Sequence, residues 1–152
     1  MKTLIARLDD NLRLISLRQV PDSALLLGAR PMFLPEEADG VSLRAMPAVR
    51  ICRLGLAIAP QFAARYYDAA TVVAMRVPDG GSEPSDIDLV ADNALAVGSW
   101  LPLPENAGWR LTAPDGKVHD IAAPREAFAS AISQISARTT FKTGDIVVLD
   151  IA

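Results

Sequence analysis

The sequence predicts a mixed, β-dominated α+β fold, and three observations carry that reading. Short apolar stretches rich in β-branched residues recur along the chain, separated by Gly, Pro, Asn and Asp. Only two stretches show a helical period. Between two further apolar runs, Asp115-Gly116 is a strong hairpin signal.

The elements follow in order. Met1–Arg7 reads as a short strand, whereas Asp9–Val20 is weakly alternating, Leu12, Leu14 and Leu17 giving no clean period. Pro21-Asp22-Ser23 is a turn, and Ala24–Leu27 a buried apolar strand ending at Gly28. Met32-Phe33-Leu34, between Pro31 and Pro35, is expected to be extended, and Pro35–Gly40 an acidic loop. Val41–Leu54 contains a long strand, interrupted at Pro47 because central strands avoid a residue without an N–H. Phe62, Tyr66 and Ala70 share a four-residue spacing after Pro60, which predicts a helix over Ile58–Ala70. Thr71–Val77 returns to strand, Pro78–Ser85 is a loop, and Ala94–Leu101 is strand or turn. Trp109–Thr112 is expected to pair with Val118–Ile121 across the Asp-Gly turn. After Pro124, Phe128, Ala131, Ile132 and Ile135 form one apolar helical stripe. Lys142–Asp145 is a turn before the closing strand Ile146–Ile151.

A length of 152 residues suits one domain, residues 1–152. Such a chain should bury about 68–70% of its unfolded surface. With 51% hydrophobic and 22% charged residues it is not disordered, and a net charge of −3 argues against nucleic acid and anionic membranes. Its longest apolar runs, such as Ala24–Leu27 and Ile146–Leu149, fall far short of the roughly 20 residues a membrane span needs. The start meets Lys2 and Arg7 too soon for a signal peptide. A single cysteine, Cys52, excludes an internal disulfide and fits a reducing compartment. A cytoplasmic location is therefore expected.

Catalytic side chains are scarce. The lone histidine, His119, follows the Asp-Gly turn and reads as a solvated strand residue. Cys52 lies between Arg50 and Arg53 in a strand and reads as a buried structural thiol. One His and one Cys cannot build a zinc site, and no phosphate-binding, dinucleotide or nucleophile-elbow motif is present.

Four stretches, in order, resemble the fumarylacetoacetate hydrolase family. The first is Pro21-Asp22-Ser23-Ala24-Leu25-Leu26 with Pro31-Met32-Phe33-Leu34-Pro35. The second is Val49–Gly55 followed by Phe62–Thr71. The third, Asp92-Asn93-Ala94-Leu95-Ala96-Val97-Gly98-Ser99-Trp100-Leu101-Pro102, is similar to the family's segment ending Gly-x-Trp-Leu. The fourth runs from Ile132–Ser136 into Thr140-Phe141-Lys142-Thr143-Gly144-Asp145-Ile146. The resemblance implies a mixed β-roll, a β-sandwich-like sheet with two short helices, for which 152 residues would be short.

The resemblance also implies chemistry. Family members act on acylpyruvate-type oxo-acids with a hard divalent ion, two of whose ligands come from a Glu-x-Glu strand motif. Matching on Arg50–Gly55 puts Arg44 and Met46 at those positions, and neither is a magnesium or calcium ligand. The third ligand falls near Gly80, beside Asp79; the expected lysine is Leu89, three residues before Asp92. The N-terminal stretch expected to carry a histidine base reads Ala6-Arg7-Leu8-Asp9-Asp10-Asn11-Leu12, and the closing loop position holds Leu149-Asp150-Ile151-Ala152. Arg44, Met46, Asp79, Leu89 and Asp92 are thus candidates for a vestigial pocket, with no catalytic, cofactor or metal residue assigned. A guanidinium can fill the volume and charge of a lost cation, so Arg44 is expected to pair with Asp92 or bind a carboxylate ligand.

The expected function is a non-catalytic relative with a binding or structural role. The alternative is a metal-dependent hydrolase or decarboxylase of acylpyruvate-like oxo-acids. It would hold magnesium or calcium on relocated ligands from Asp79, Glu83, Asp86 and Asp88, a run that a solvated loop explains more simply. Expected partners are a second copy of the chain, a small anionic ligand met by Arg44 and Arg50, or another protein.

Overall fold

Strand β1 (Thr3–Leu8) lies inside the sheet and pairs in parallel with the last strand, β10 (Ile146–Leu149), Ile5 opposite Val148. On its other side β1 meets β2 (Leu14–Val20), which is antiparallel and forms the edge. β10 in turn pairs with β4 (Ser42–Ile51), and β4 with the long β5 (Tyr67–Val77), both antiparallel. Beyond β5 come β6 (Leu95–Val97) and β3 (Leu25–Leu27), while β7 (Leu101–Pro102) pairs with the start of β5. These eight strands form a curled, mixed half-barrel; β8 (Trp109–Thr112) and β9 (Val118–Ile121) form a separate hairpin. Among the described residues, two helices, α1 (Asp86–Val90) and α2 (Pro124–Ser136), and short 3₁₀ turns at Asp22–Ala24 and Pro60–Arg65 accompany the strands. The computed structural model describes residues 1–28, 42–78, 83–103, 108–112, 116 and 118–150, so the Met32–Leu34 and Pro35–Gly40 expectations lie outside it.

Alternation along the strands divides the core in two. One face buries Leu4, Ala6, Val49, Ile51 and Val147 against the α2 stripe of Phe128, Ala131, Ile132 and Ile135. Phe128 lies at its centre, its ring 6.1 Å from Tyr67 and 5.6 Å from Trp109. The inner face buries Ile5, Val20, Met46, Ala48, Val73, Met75, Ile146 and Val148, with Leu89 of α1 packed among them. No helix among the described residues is long and apolar enough to cross a membrane.

Three expectations need correction. The predicted helix over 58–70 is a 3₁₀ turn ending at Arg65, and β5 begins at Tyr67. Pairing of Ile51 with Tyr67 and Val49 with Ala70 outweighs the weak four-residue period, and Ala59 offers no side-chain cap. β4 runs unbroken through Pro47. The Val72 carbonyl opposite Pro47 accepts from Gly98 N–H on the far side of β5, so Pro47 and Val72 form a non-hydrogen-bonded pair. β10 pairing stops at Ala48, so neither neighbour asks Pro47 for an N–H. The weakly alternating 9–20 stretch contains β2, whose edge position leaves Ile15 and Leu17 exposed and so blurs the pattern. Ala24–Leu27 is also less buried than expected, with β3 at the opposite edge and Leu27 exposed.

Gly55 is required by close packing. Its N–H donates to the Phe141 carbonyl at 3.0 Å and its carbonyl accepts from Phe141 N–H at 2.8 Å. A Cβ there would lie 2.6 Å from Tyr66 Cε1 and 2.8 Å from Ile58 Cδ1. Gly55→Ala is expected to lower stability by about 1–2 kcal/mol. Urea unfolding checks this, and an unchanged midpoint would mean that the Tyr66 ring yields freely.

Candidate functional site

Four adjacent strands carry a charged residue two positions past a buried inner-face residue, at the same end of the sheet. Arg18 follows this rule from Val20 on β2, Arg7 from Ile5 on β1, and Arg44 from Met46 on β4. Asp150, just past β10, does so from Val148. Because strand alternation has a period of two, all four side chains continue the inner face where its apolar layer stops. Glu83, from the segment leading into α1, meets them from outside the sheet.

The geometry is that of an ion-pair network. The Arg7 guanidinium donates to Asp150 Oδ2 at 2.7 Å and to Glu83 Oε1 at 3.0 Å. Arg44 donates to the same Asp150 oxygen at 3.2 Å and lies 3.4 Å from Glu83 Oε1. Arg18 approaches Glu83 Oε2 at 3.9 Å and donates to the Pro84 carbonyl. Asp150 is only 6% exposed, against 48% for Glu83. The Arg7 hydrogen bond, helped by Arg44, holds the Glu83 carboxyl below its usual range, and Glu83 and Asp150 raise the Arg7 guanidinium in return. A cleft of about 270 Å³ opens beside the network, lined by Ile5, Arg7, Ser16, Arg18, Glu83 and Asp150.

Of the residues singled out in the sequence, Arg44 belongs to this network, through Asp150 and Glu83 and not through Asp92. The reason is topological: β4 and β10 are neighbours, while Asp92 lies between α1 and β6. Met46 and Leu89 are buried in the inner apolar layer. Asp79 lies outside the described residues. Arg50 sits at the far end of β4, about 20 Å along the strand from Arg44. There it pairs with Asp68 and stacks on Trp100. The acidic run divides, since Asp88 caps α1 in a reciprocal box with Ser85 whereas Glu83 joins the arginines. Ser85 and its backbone N–H lower the Asp88 carboxyl. Cys52 is half-buried rather than buried, its Sγ 3.8 Å from the Arg65 carbonyl. His119 is exposed on β9. Arg7, Arg18 and Asp150 were not singled out; their spacing from buried strand neighbours was the available signal.

A larger cleft of about 510 Å³ lies on the other side of β4, between β5, β7 and the hairpin. Its walls are mostly apolar, from Pro47, Val72, Leu101, Trp109, Leu111 and Ile121. Arg110 is its one charged lining residue among those described. The arginine network, not this cleft, holds the groups able to do ionic chemistry.

No family model and no curated protein matches the sequence. Solved structures do match. A protein from Yersinia pestis CO92, described as a fumarylacetoacetate hydrolase family member, has 16% identity and a TM-score of 0.70 over 97% of this chain and 78% of its own. The chain has the fold of the fumarylacetoacetate hydrolase family. The 5-carboxymethyl-2-hydroxymuconate delta-isomerase from Mycobacterium smegmatis shares this fold with a TM-score of 0.73 and 15% identity, over 97% of this chain and 66% of its own. Maleylpyruvate hydrolase from Sphingobium sp. SYK-6, solved with manganese(II) and pyruvate, gives a TM-score of 0.73 and 17% identity over 96% of this chain and 58% of its own. The chain thus spans less than two thirds of the length of that isomerase and of that hydrolase.

The fumarylacetoacetate hydrolase fold raises the question of a divalent ion. Magnesium and calcium seek about six or more hard oxygen ligands. Here the carboxylates of Glu83 and Asp150 are committed to three guanidinium groups, and the neighbouring inner-face position is the thioether of Met46. Among the described residues no group of three or more His, Cys, Asp or Glu could hold a metal ion. This donor set does not fit a hard cation, which three arginines would repel.

Proposed function

We propose that the chain is a non-catalytic member of the fumarylacetoacetate hydrolase fold, a cytoplasmic protein whose inner-face site binds instead of reacting. The observation that carries this reading is Arg44. It occupies the strand position that the resemblance assigns to a metal-binding glutamate, turns inward, and forms ion pairs with Asp150 and Glu83. A guanidinium supplies the positive charge a metal would supply, but it offers no open coordination position to polarise a carbonyl. The buried Leu89 supports the same reading, since it fills the position expected to hold a lysine.

The test is calorimetric titration with magnesium and manganese, followed by turnover assays on acylpyruvates and oxaloacetate. No saturable metal binding at millimolar concentration and no metal-dependent turnover is expected. Millimolar or tighter binding together with turnover would establish the alternative, a metal-dependent hydrolase or decarboxylase with relocated ligands.

A further inference from the structure

We infer that the cleft beside Arg7, Arg18 and Arg44 binds a small dianionic oxyanion, such as inorganic phosphate or a short dicarboxylate, which displaces Glu83. The inference rests on the non-catalytic reading above and names the ligand class of that same site.

The two carboxylates of the network are not equivalent. Asp150 is 6% exposed, lies 2.7 Å from Arg7 and belongs to the end of the sheet, where its N–H donates to the Ala6 carbonyl at 2.8 Å. It is a permanent counter-ion. Glu83 comes from outside the sheet, is 48% exposed, and touches three guanidinium groups at 3.0, 3.4 and 3.9 Å. A half-exposed carboxylate bridging three arginines occupies the place an external oxyanion would take. Its contacts with Arg44 and Arg18 are long, so an anion free to orient itself can improve on them.

Charge sets the ligand class. With Glu83 swung out, the three guanidiniums of the network face the Asp150 carboxylate, with Asp88 acting on Arg18 from a distance, so among the described residues the cleft is net positive and favours a dianion over a monoanion. Donors are also in surplus: the Arg7 Nε–H is buried without a hydrogen-bond partner among the described residues, and Ser16 lines the cleft. The volume of about 270 Å³ equals that of about nine water molecules. That is ample room for phosphate or a short dicarboxylate. Both ligand types offer paired oxygens to a planar guanidinium.

The test titrates the EDTA-treated full chain with inorganic phosphate, succinate and acetate at constant ionic strength. Binding is read by calorimetry and by the rise in melting temperature. Phosphate, succinate or both are expected to bind at least about tenfold tighter than acetate, and which of them binds identifies the source of the oxyanion. Glu83→Gln removes the internal competitor and should tighten dianion binding about tenfold, whereas Arg18→Gln should weaken it by a similar factor. Glu83→Ala serves the same purpose if Glu83→Gln does not fold. No dianion binding, or a Glu83 variant that binds no more tightly than the parent, would overturn the inference. The metal titration stays separate: dianion binding can fail while metal-dependent turnover is also absent, and then only this inference falls.

Discussion

Asp145→Ala is expected to cost about 3–5 kcal/mol of folding stability, the loss typical of breaking a buried ion pair. Asp145 is 1% exposed and sits in the turn before β10. Its carboxylate accepts from Lys2 N–H at 2.9 Å, Lys2 Nζ at 2.6 Å and Lys142 N–H at 2.9 Å. Its backbone carbonyl accepts from Ile51 N–H at 2.8 Å, next to the end of β4. One residue thus ties together the starts of β1 and β10 and the end of β4. Alanine would orphan two backbone donors and leave the Lys2 ammonium, among the described residues, with the Thr140 carbonyl and the Phe141 ring. Chemical unfolding measures the loss.

The same residue predicts a pH dependence. Burial pushes the Asp145 carboxyl up, but Lys2 and the two N–H donors together outweigh it, and the net shift is downward. A folded value below the unfolded one, about 3.9, gives stability that is present above that pH and lost as pH falls through the folded value. Asp145→Asn keeps the shape and removes the titration. The stability gap between parent and Asp145→Asn should therefore close on acidification below about pH 4. A gap that does not change with pH would show that hydrogen bonding alone, not charge, makes Asp145 stabilising.

What was legible in the sequence depended on how far apart the cooperating residues lie. The α2 stripe Phe128–Ala131–Ile132–Ile135 and the β8–β9 hairpin were readable because each is set by a period or turn within about a dozen residues. The 58–70 segment misled because Phe62 and Ala70 answer to different neighbours: Phe62 lies under Arg65 at 4.8 Å, and Ala70 pairs with Val49. The site was legible only at Arg44, through a resemblance. Its other members reach from Arg7 to Asp150, and their common face follows from the register of β1 on β10 and β10 on β4, which no local pattern contains. Glu83 lay within an acidic run and carried no mark of the three cations that meet it.

Asp150→Ala should be the most damaging single change within the arginine network, at about 2–4 kcal/mol. The lower bound reflects solvent screening of partners that are 31% and 18% exposed, Arg7 and Arg44. Without Asp150 the carboxylate these two guanidiniums share among the described residues is the half-exposed Glu83, and their mutual repulsion enters the folded state but not the extended unfolded chain. If repulsion is the cause, Asp150→Ala combined with Arg44→Met should be more stable than Asp150→Ala alone, although Arg44→Met by itself destabilises. Loss of backbone order at the end of β10 would instead leave the two effects additive. Added phosphate separates the mechanisms further. It should raise the melting temperature of Asp150→Ala more than that of the parent, because the vacated position then faces two guanidiniums that have lost their buried counter-ion. Equal shifts in both proteins would mean that the cost of Asp150→Ala does not come from the charge left on Arg7 and Arg44.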